Sequence, residues 1–94
     1  MAAYVMGEIE ITDPAVYDEY RKQVLATITK YGGKFLVRGS RSEALEGAAP
    51  KRVVLLEFPS YEQALKWYRS PEYAPLIMLR QKAARGRLII AEGA

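Results

Sequence analysis

Six side chains have the types and spacing that chemistry needs: Tyr20, Arg38, Glu57, Trp67, Tyr73 and Arg80. Arg80 poses the sharpest question. At about 100° per residue along YAPLIMLRQKAARG, Tyr73, Leu76, Ile77, Ala83 and Ala84 gather on one helix face, and Arg80 falls in its middle. A guanidinium among apolar neighbours is costly unless compensated. It either pairs with a carboxylate (Glu57 in RVVLLEF, or Glu8 near the N-terminus), snorkels out along the helix, or meets an anionic ligand that its planar fork would suit. Glu57 is the only acid inside the apolar run RVVLLEF. Alone there it would be a candidate general acid or base; beside Arg80 or Arg38 it would be a structural partner. Arg38 closes KFLVR just before Gly39, where it either guards a pocket mouth or is simply solvated.

The aromatic residues divide by spacing. In FPSYEQALKWYRSPEY, Tyr61, Ala64, Leu65 and Tyr68 recur at i, i+3, i+4 and i+7, which predicts an inward stripe with Trp67 at its flank. Tyr73 lies beyond the Ser70-Pro71 break. Trp67 and Tyr73 either fill a core edge or subunit contact, or line a gap opened by that break. Tyr20 faces inward on its own helix and could line the same space.

Much chemistry is excluded. The chain has no cysteine, histidine or asparagine. A zinc or haem site of the usual kind then has no protein ligands, and a nucleophile–histidine arrangement is impossible. No glycine-rich phosphate loop precedes a helix, and Ser60 and Ser70 read as helix caps. We therefore expect neither metal nor cofactor. Net charge is +3, from 14 Lys+Arg against 11 Asp+Glu, with the basic residues scattered rather than striped. That argues against nucleic acid. The N-terminus has no basic-then-apolar leader, and no run approaches the ~20 apolar residues of a membrane span. The expectation is a soluble, cytoplasmic protein with no membrane contact.

The elements that must position these residues follow from periodicity. AYVMGEIEI, residues 3–11, alternates as a strand with Val5, Ile9 and Ile11 on one face. Asp13 caps a helix that Pro14 opens, and YGG at 31–33 stops it; its apolar face runs through Tyr20, Val24 and Ile28. KFLVRG is a second strand, SRSEALEGAAPK a loop, and RVVLLEF (52–58) a strand buried on both faces. A capping box at Ser60 and Gln63 starts a helix to about 69. Ser70 and Pro71 start another over 71–84, and Gly86 precedes a last strand at 87–92. The order β-α-β-β-α-β is the ferredoxin-like plan, with helices on one face of an antiparallel sheet. With 94 residues in a single domain, something must cover the other face. A second copy of the chain is the simplest cover. RNA-binding domains of this plan need exposed aromatics on a central strand, which aliphatic RVVLLEF lacks.

YGGKFLVRG, LEG, PKRVVLLEFPS, ALKWYRSPEY and LRQKAARGRLIIAEG together resemble the domain-of-unknown-function 1330 family over about residues 3 to 93. These are small dimeric α/β-barrel proteins related in fold to the antibiotic-synthesis monooxygenases. The resemblance implies an α+β monomer whose sheet packs on a partner's sheet, and it implies no activity. Relatives in the wider fold group lean on histidine or on an asparagine–tryptophan pair, which this chain lacks. The resulting expectation is a homodimer with a pocket between sheet and helices, lined by Arg38, Glu57, Trp67, Tyr73, Arg80 and Tyr20. It would act without a cofactor on a small anionic or aromatic metabolite, with Glu57 or a tyrosine moving the proton and Arg80 or Arg38 holding the anion. The alternatives are a ligand-binding module without turnover, or a dimer with a filled pocket.

Overall fold

A computed structural model of the protein describes residues 1–49 and 51–94. Strand β1 (Ala3–Ile11) leads into helix α1 (Pro14–Lys30), then β2 (Lys34–Arg38), β3 (Arg52–Phe58), α2 (Tyr61–Tyr68), α3 (Ala74–Ala83) and β4 (Ala84–Glu92). The strands form one antiparallel sheet in the order β2-β3-β1-β4. This is the ferredoxin-like arrangement, with the fold class α+β. Pro50, within the expected loop, lies outside the described residues.

Local chemistry sets most boundaries. The Asp13 carboxylate accepts from the Val16 N–H, and Pro14 takes the first turn, where no N–H is needed. Gly32 ends α1 at φ 82, a conformation that costs glycine little. The Ser60 hydroxyl accepts from the Gln63 N–H, but the Gln63 side chain reaches to the Tyr31 carbonyl instead of back to the cap. That bond ties α2 to the end of α1, so only half of the expected box forms.

Two expectations change at the C-terminal end. The regular helix starts at Ala74, not Pro71. The Ser70 hydroxyl donates to the Trp67 carbonyl at 2.7 Å and accepts from the Tyr73 N–H at 3.1 Å, holding residues 71–73 in a turn that enters α3. Strand β4 begins at Ala84 rather than Arg87, because Gly86 allows pairing to run through it. Its φ is +148°, and a Cβ there would sit 2.0 Å from the Glu8 carbonyl oxygen.

The core lies between the sheet and the helices. Ala3, Val5, Ile9, Leu56 and Phe58 meet Tyr20, Val24, Ile28 and Trp67 there. The inward stripe of α2 is rotated from its expected position: Ala64 and Trp67 are fully buried, whereas Tyr68 is 36% exposed. Burying the indole removes the largest apolar surface in the helix from water, and this outweighs the symmetric i, i+3, i+4, i+7 pattern. The opposite sheet face carries Tyr4, Met6, Leu55, Glu57 and Ile89, in register across β1, β3 and β4. Met6 and Ile89 are exposed on it.

Candidate functional site

The site grows from α1 and the break between α2 and α3. Tyr17, Tyr20, Val24 and Ile28 recur at helical spacing and lie over the sheet. Tyr73, at the end of the Ser70 turn, is fully buried and stacks on Trp67 with centroids 4.2 Å apart. Trp67 is fixed from behind, since its indole N–H donates to the Thr27 hydroxyl at 3.0 Å. That packing brings the Tyr20 and Tyr73 hydroxyls within 2.8 Å of each other inside the core.

Arg80 stands behind this pair on α3. It is 91% buried by its 9% exposure, its Nε has no hydrogen-bond partner, and no ion pair reaches it among the described residues. Burial, then the Tyr73 hydroxyl, push the Tyr20 phenol far above its ordinary range. Burial raises Tyr73 as well, while the bond from Tyr20 and the Arg80 charge pull it back. Both phenols therefore stay protonated at neutral pH and act as donors. Either hydroxyl can donate in this bond; the Arg80 charge lowers Tyr73, and with Tyr20 as the donor the Tyr73 proton is free for a ligand oxygen.

Under α1 lies a cavity of about 30 Å³, walled by Val5, Val24, Leu56, Tyr20, Trp67 and Tyr73, with Arg21, Arg38 and Arg52 at its rim. Such a volume holds about one or two waters, so a larger ligand requires the rim to open. Arg21 and Arg38 are exposed and can swing. A register slip between Phe35 and Val37 brings Arg38 opposite Val54, on the helix-covered face. There it lies over the Phe35 ring, 4.3 Å from the centroid. A one-residue shift of register moves a side chain to the other face of a sheet, and this bulge is what brings Arg38 to the rim.

Of the six residues singled out from the sequence, the structure brings together Tyr20, Arg38, Trp67 and Tyr73 at the cavity. Arg80 sits in contact range of the tyrosine hydroxyls rather than on the cavity wall. Glu57 is not among them. It shares the opposite sheet face with Tyr4 and Lys34, and it pairs with Lys34 at 3.3 Å. The expected Arg80–Glu57 pair is absent because strand alternation points Glu57 away from the helices while Leu56 and Phe58 point toward them. Tyr17, Arg21 and Arg52 were missed. Arg52 has the same parity as Val54, Leu56 and Phe58, so the sequence of β3 already held that signal. Among the described residues no cluster of acidic side chains could hold a metal.

A model of the family described as domain of unknown function (DUF1330) matches residues 2–94. No curated protein is similar in sequence to this chain at a significant level. Among solved structures, a protein of unknown function from Rhodopseudomonas palustris, RPA0582, is similar at 20% identity with a TM-score of 0.79, covering 99% of this chain and 82% of its own. SnoaB, a cofactor-independent oxygenase from Streptomyces nogalater, is similar at 10% identity with a TM-score of 0.71, covering 99% and 93%. A dimeric protein of unknown function with a ferredoxin-like fold from Bacteroides fragilis follows at 10% identity and 0.61, covering 98% and 96%. At these identities the likenesses speak to fold alone.

Proposed function

The chain belongs to the DUF1330 family, and from that premise we propose that it is a homodimer whose protomers each take up a small anionic or aromatic molecule under α1 and act on it without a cofactor. One observation carries this reading. The hydrogen-bonded Tyr20–Tyr73 pair faces a cavity, and a buried Arg80 without a carboxylate partner stands behind it. Buried guanidinium groups are ordinarily paired. One that is left unpaired behind two protonated phenols is arranged to stabilise negative charge on a ligand oxygen, such as a phenolate or enolate.

Dimerisation is supported by the exposed Met6 and Ile89 on the sheet face opposite the helices and by the dimeric state of the Bacteroides fragilis protein. The oxygenase SnoaB supports turnover without a cofactor on this fold. A second reading, binding without turnover, is favoured by the cavity lining. Among the described residues it contains no carboxylate and no imidazole, so no side chain there takes a proton at neutral pH. A ligand would then arrive already charged.

The test is a thermal-shift screen over small aromatic carboxylates and phenols, followed by Trp67 fluorescence titration, since Trp67 is the only tryptophan and lies against Tyr73. Binding that stabilises the wild type and is lost in Tyr73→Phe supports the site. Product formation or oxygen uptake with the same compound separates turnover from binding. No stabilisation by any compound, or full binding by Tyr73→Phe, overturns the reading.

A further inference from the structure

The cavity has two polar ends, and only one has been used so far. At the β2 edge its rim is made by Arg21, Arg38 and Arg52. Arg21 is paired with Asp18 at 2.9 Å, and elsewhere on the sheet Lys34 and Lys51 pair with Glu57 and Glu10. Among the described residues no acid pairs Arg38 or Arg52, and Arg52 is the more constrained of the two. The Arg52 guanidinium passes over Gly39, where a Cβ would come within 2.2 Å of it. Its Nη2 donates to the Arg38 carbonyl at 3.3 Å, and its cation lies 5.7 Å from the Tyr17 ring centroid. Its Nε is buried without a partner. The Arg38 Nη2 in turn approaches the Arg21 carbonyl at 3.4 Å. Two cations thus share one stretch of the lining with no acid between them among the described residues, an arrangement that an anion would relieve.

Apart from these arginines and the Tyr20–Tyr73 pair the lining is aliphatic or aromatic, with Val5, Val24, Val54, Leu56, Phe35 and Trp67 among it. The lining reaches from Phe35 on β2 to Leu88 on β4. We propose that, once the rim opens by movement of the exposed Arg21 and Arg38 side chains, the cavity takes a two-ended ligand: a carboxylate held by Arg38 and Arg52, an apolar or aromatic spacer, and a hydroxyl or carbonyl oxygen at Tyr73. The planar forks suit a carboxylate, and the Gly39 N–H is already bonded to the Val53 carbonyl, so it adds no phosphate-type cradle. This assignment rests on the ligand-binding reading above and adds the chemistry of the second end.

Calorimetric titration with trans-4-hydroxycinnamate, its methyl ester and unsubstituted cinnamate tests it. The hydroxycinnamate acid should bind the wild type at least ~10-fold more tightly than its ester. That preference should vanish in Arg38→Gln/Arg52→Gln and return in part in Arg38→Lys/Arg52→Lys, which guards against a folding defect. Loss of the hydroxyl should weaken binding to the wild type and make no difference to Tyr73→Phe. Equal binding of acid and ester, or a preference that survives in the glutamine variant, overturns the two-ended ligand. If binding still depends on Tyr73, the proposed site stands without it. If none of the three probes binds, both proposals fall.

Discussion

Replacing Arg80 by methionine should stabilise the protein. A buried N–H without a partner costs about 1–3 kcal/mol, and the Arg80 Nε is one such group. With 9% exposure and no ion pair among the described residues, the guanidinium keeps its charge in the interior with no carboxylate to compensate it. Methionine keeps the apolar stem that packs on α1 and adapts to the space left by the guanidinium. Setting the relieved penalty against some lost packing gives a net gain of about 1–2 kcal/mol. For a domain of this size each 1 kcal/mol shifts Tm by roughly 4–8 °C. Urea and thermal unfolding at fixed protein concentration read the change, and fixed concentration removes any contribution from association. A second signature comes from alkaline absorbance titration. Arg80 pulls the Tyr73 phenol down, so its removal should move that ionisation to still higher pH. A loss of stability of about 1 kcal/mol or more in Arg80→Met would show that the guanidinium is a structural pillar, and the reasoning that leaves it waiting for an anion would fail. A stabilised variant that has also lost ligand binding is the expected outcome, the usual trade of stability against a functional charge.

Thr27→Val leaves the buried Trp67 indole N–H without its acceptor and should cost about 1–3 kcal/mol, read by urea unfolding with Trp67 emission as the probe. Gly86→Ala should cost about 1–3 kcal/mol, because the +148° backbone is strained and the new Cβ meets the Glu8 carbonyl; retention of wild-type stability would contradict the β1–β4 register. The bonds from Lys30 and Tyr31 hold the Glu72 carboxyl at about 2, below its ordinary 4.5. A depressed carboxyl contributes stability that is present above pH 4.5 and is lost as pH falls toward 2. The difference in stability between wild type and Glu72→Gln should shrink over that window, and it should be smaller in high salt because the pair is exposed. If the proposed homodimer packs through the sheet face opposite the helices, Met6→Lys/Ile89→Lys places charge there and should halve the mass seen by light scattering; an unchanged dimer mass would place the contact elsewhere, and a monomeric wild type would overturn the dimer.

The elements were legible because their signals are local. Asp13 with Pro14, YGG, and Ser60 three residues before Gln63 are short-range chemistry, and they mark the ends of α1 and the start of α2 wherever the chain goes. The alternation in AYVMGEIEI named the buried face of β1 for the same reason. The four-residue aromatic stripe misled because spacing alone cannot say which of two overlapping faces of α2 turns inward. The size of the indole and the Thr27 hydroxyl 40 residues away decide it. The helical projection that put Arg80 among apolar residues was sound, but its partner was not legible. Parity in β3 turns Glu57 to the sheet face away from α3, where Lys34 pairs with it.

By itself, then, the sequence determines the element order, the ferredoxin-like plan, and the exclusion of histidine, cysteine and asparagine chemistry, all of which depend on composition or on neighbours within a few residues. The tertiary structure decides which charges are left without partners. Compensation of a charge depends on what lies within a few ångströms of it through space. Only the folded sheet shows that Arg52 and Arg38 come to one cavity, with Arg80 near the Tyr20–Tyr73 pair that lines it, while Glu57 turns to the other face.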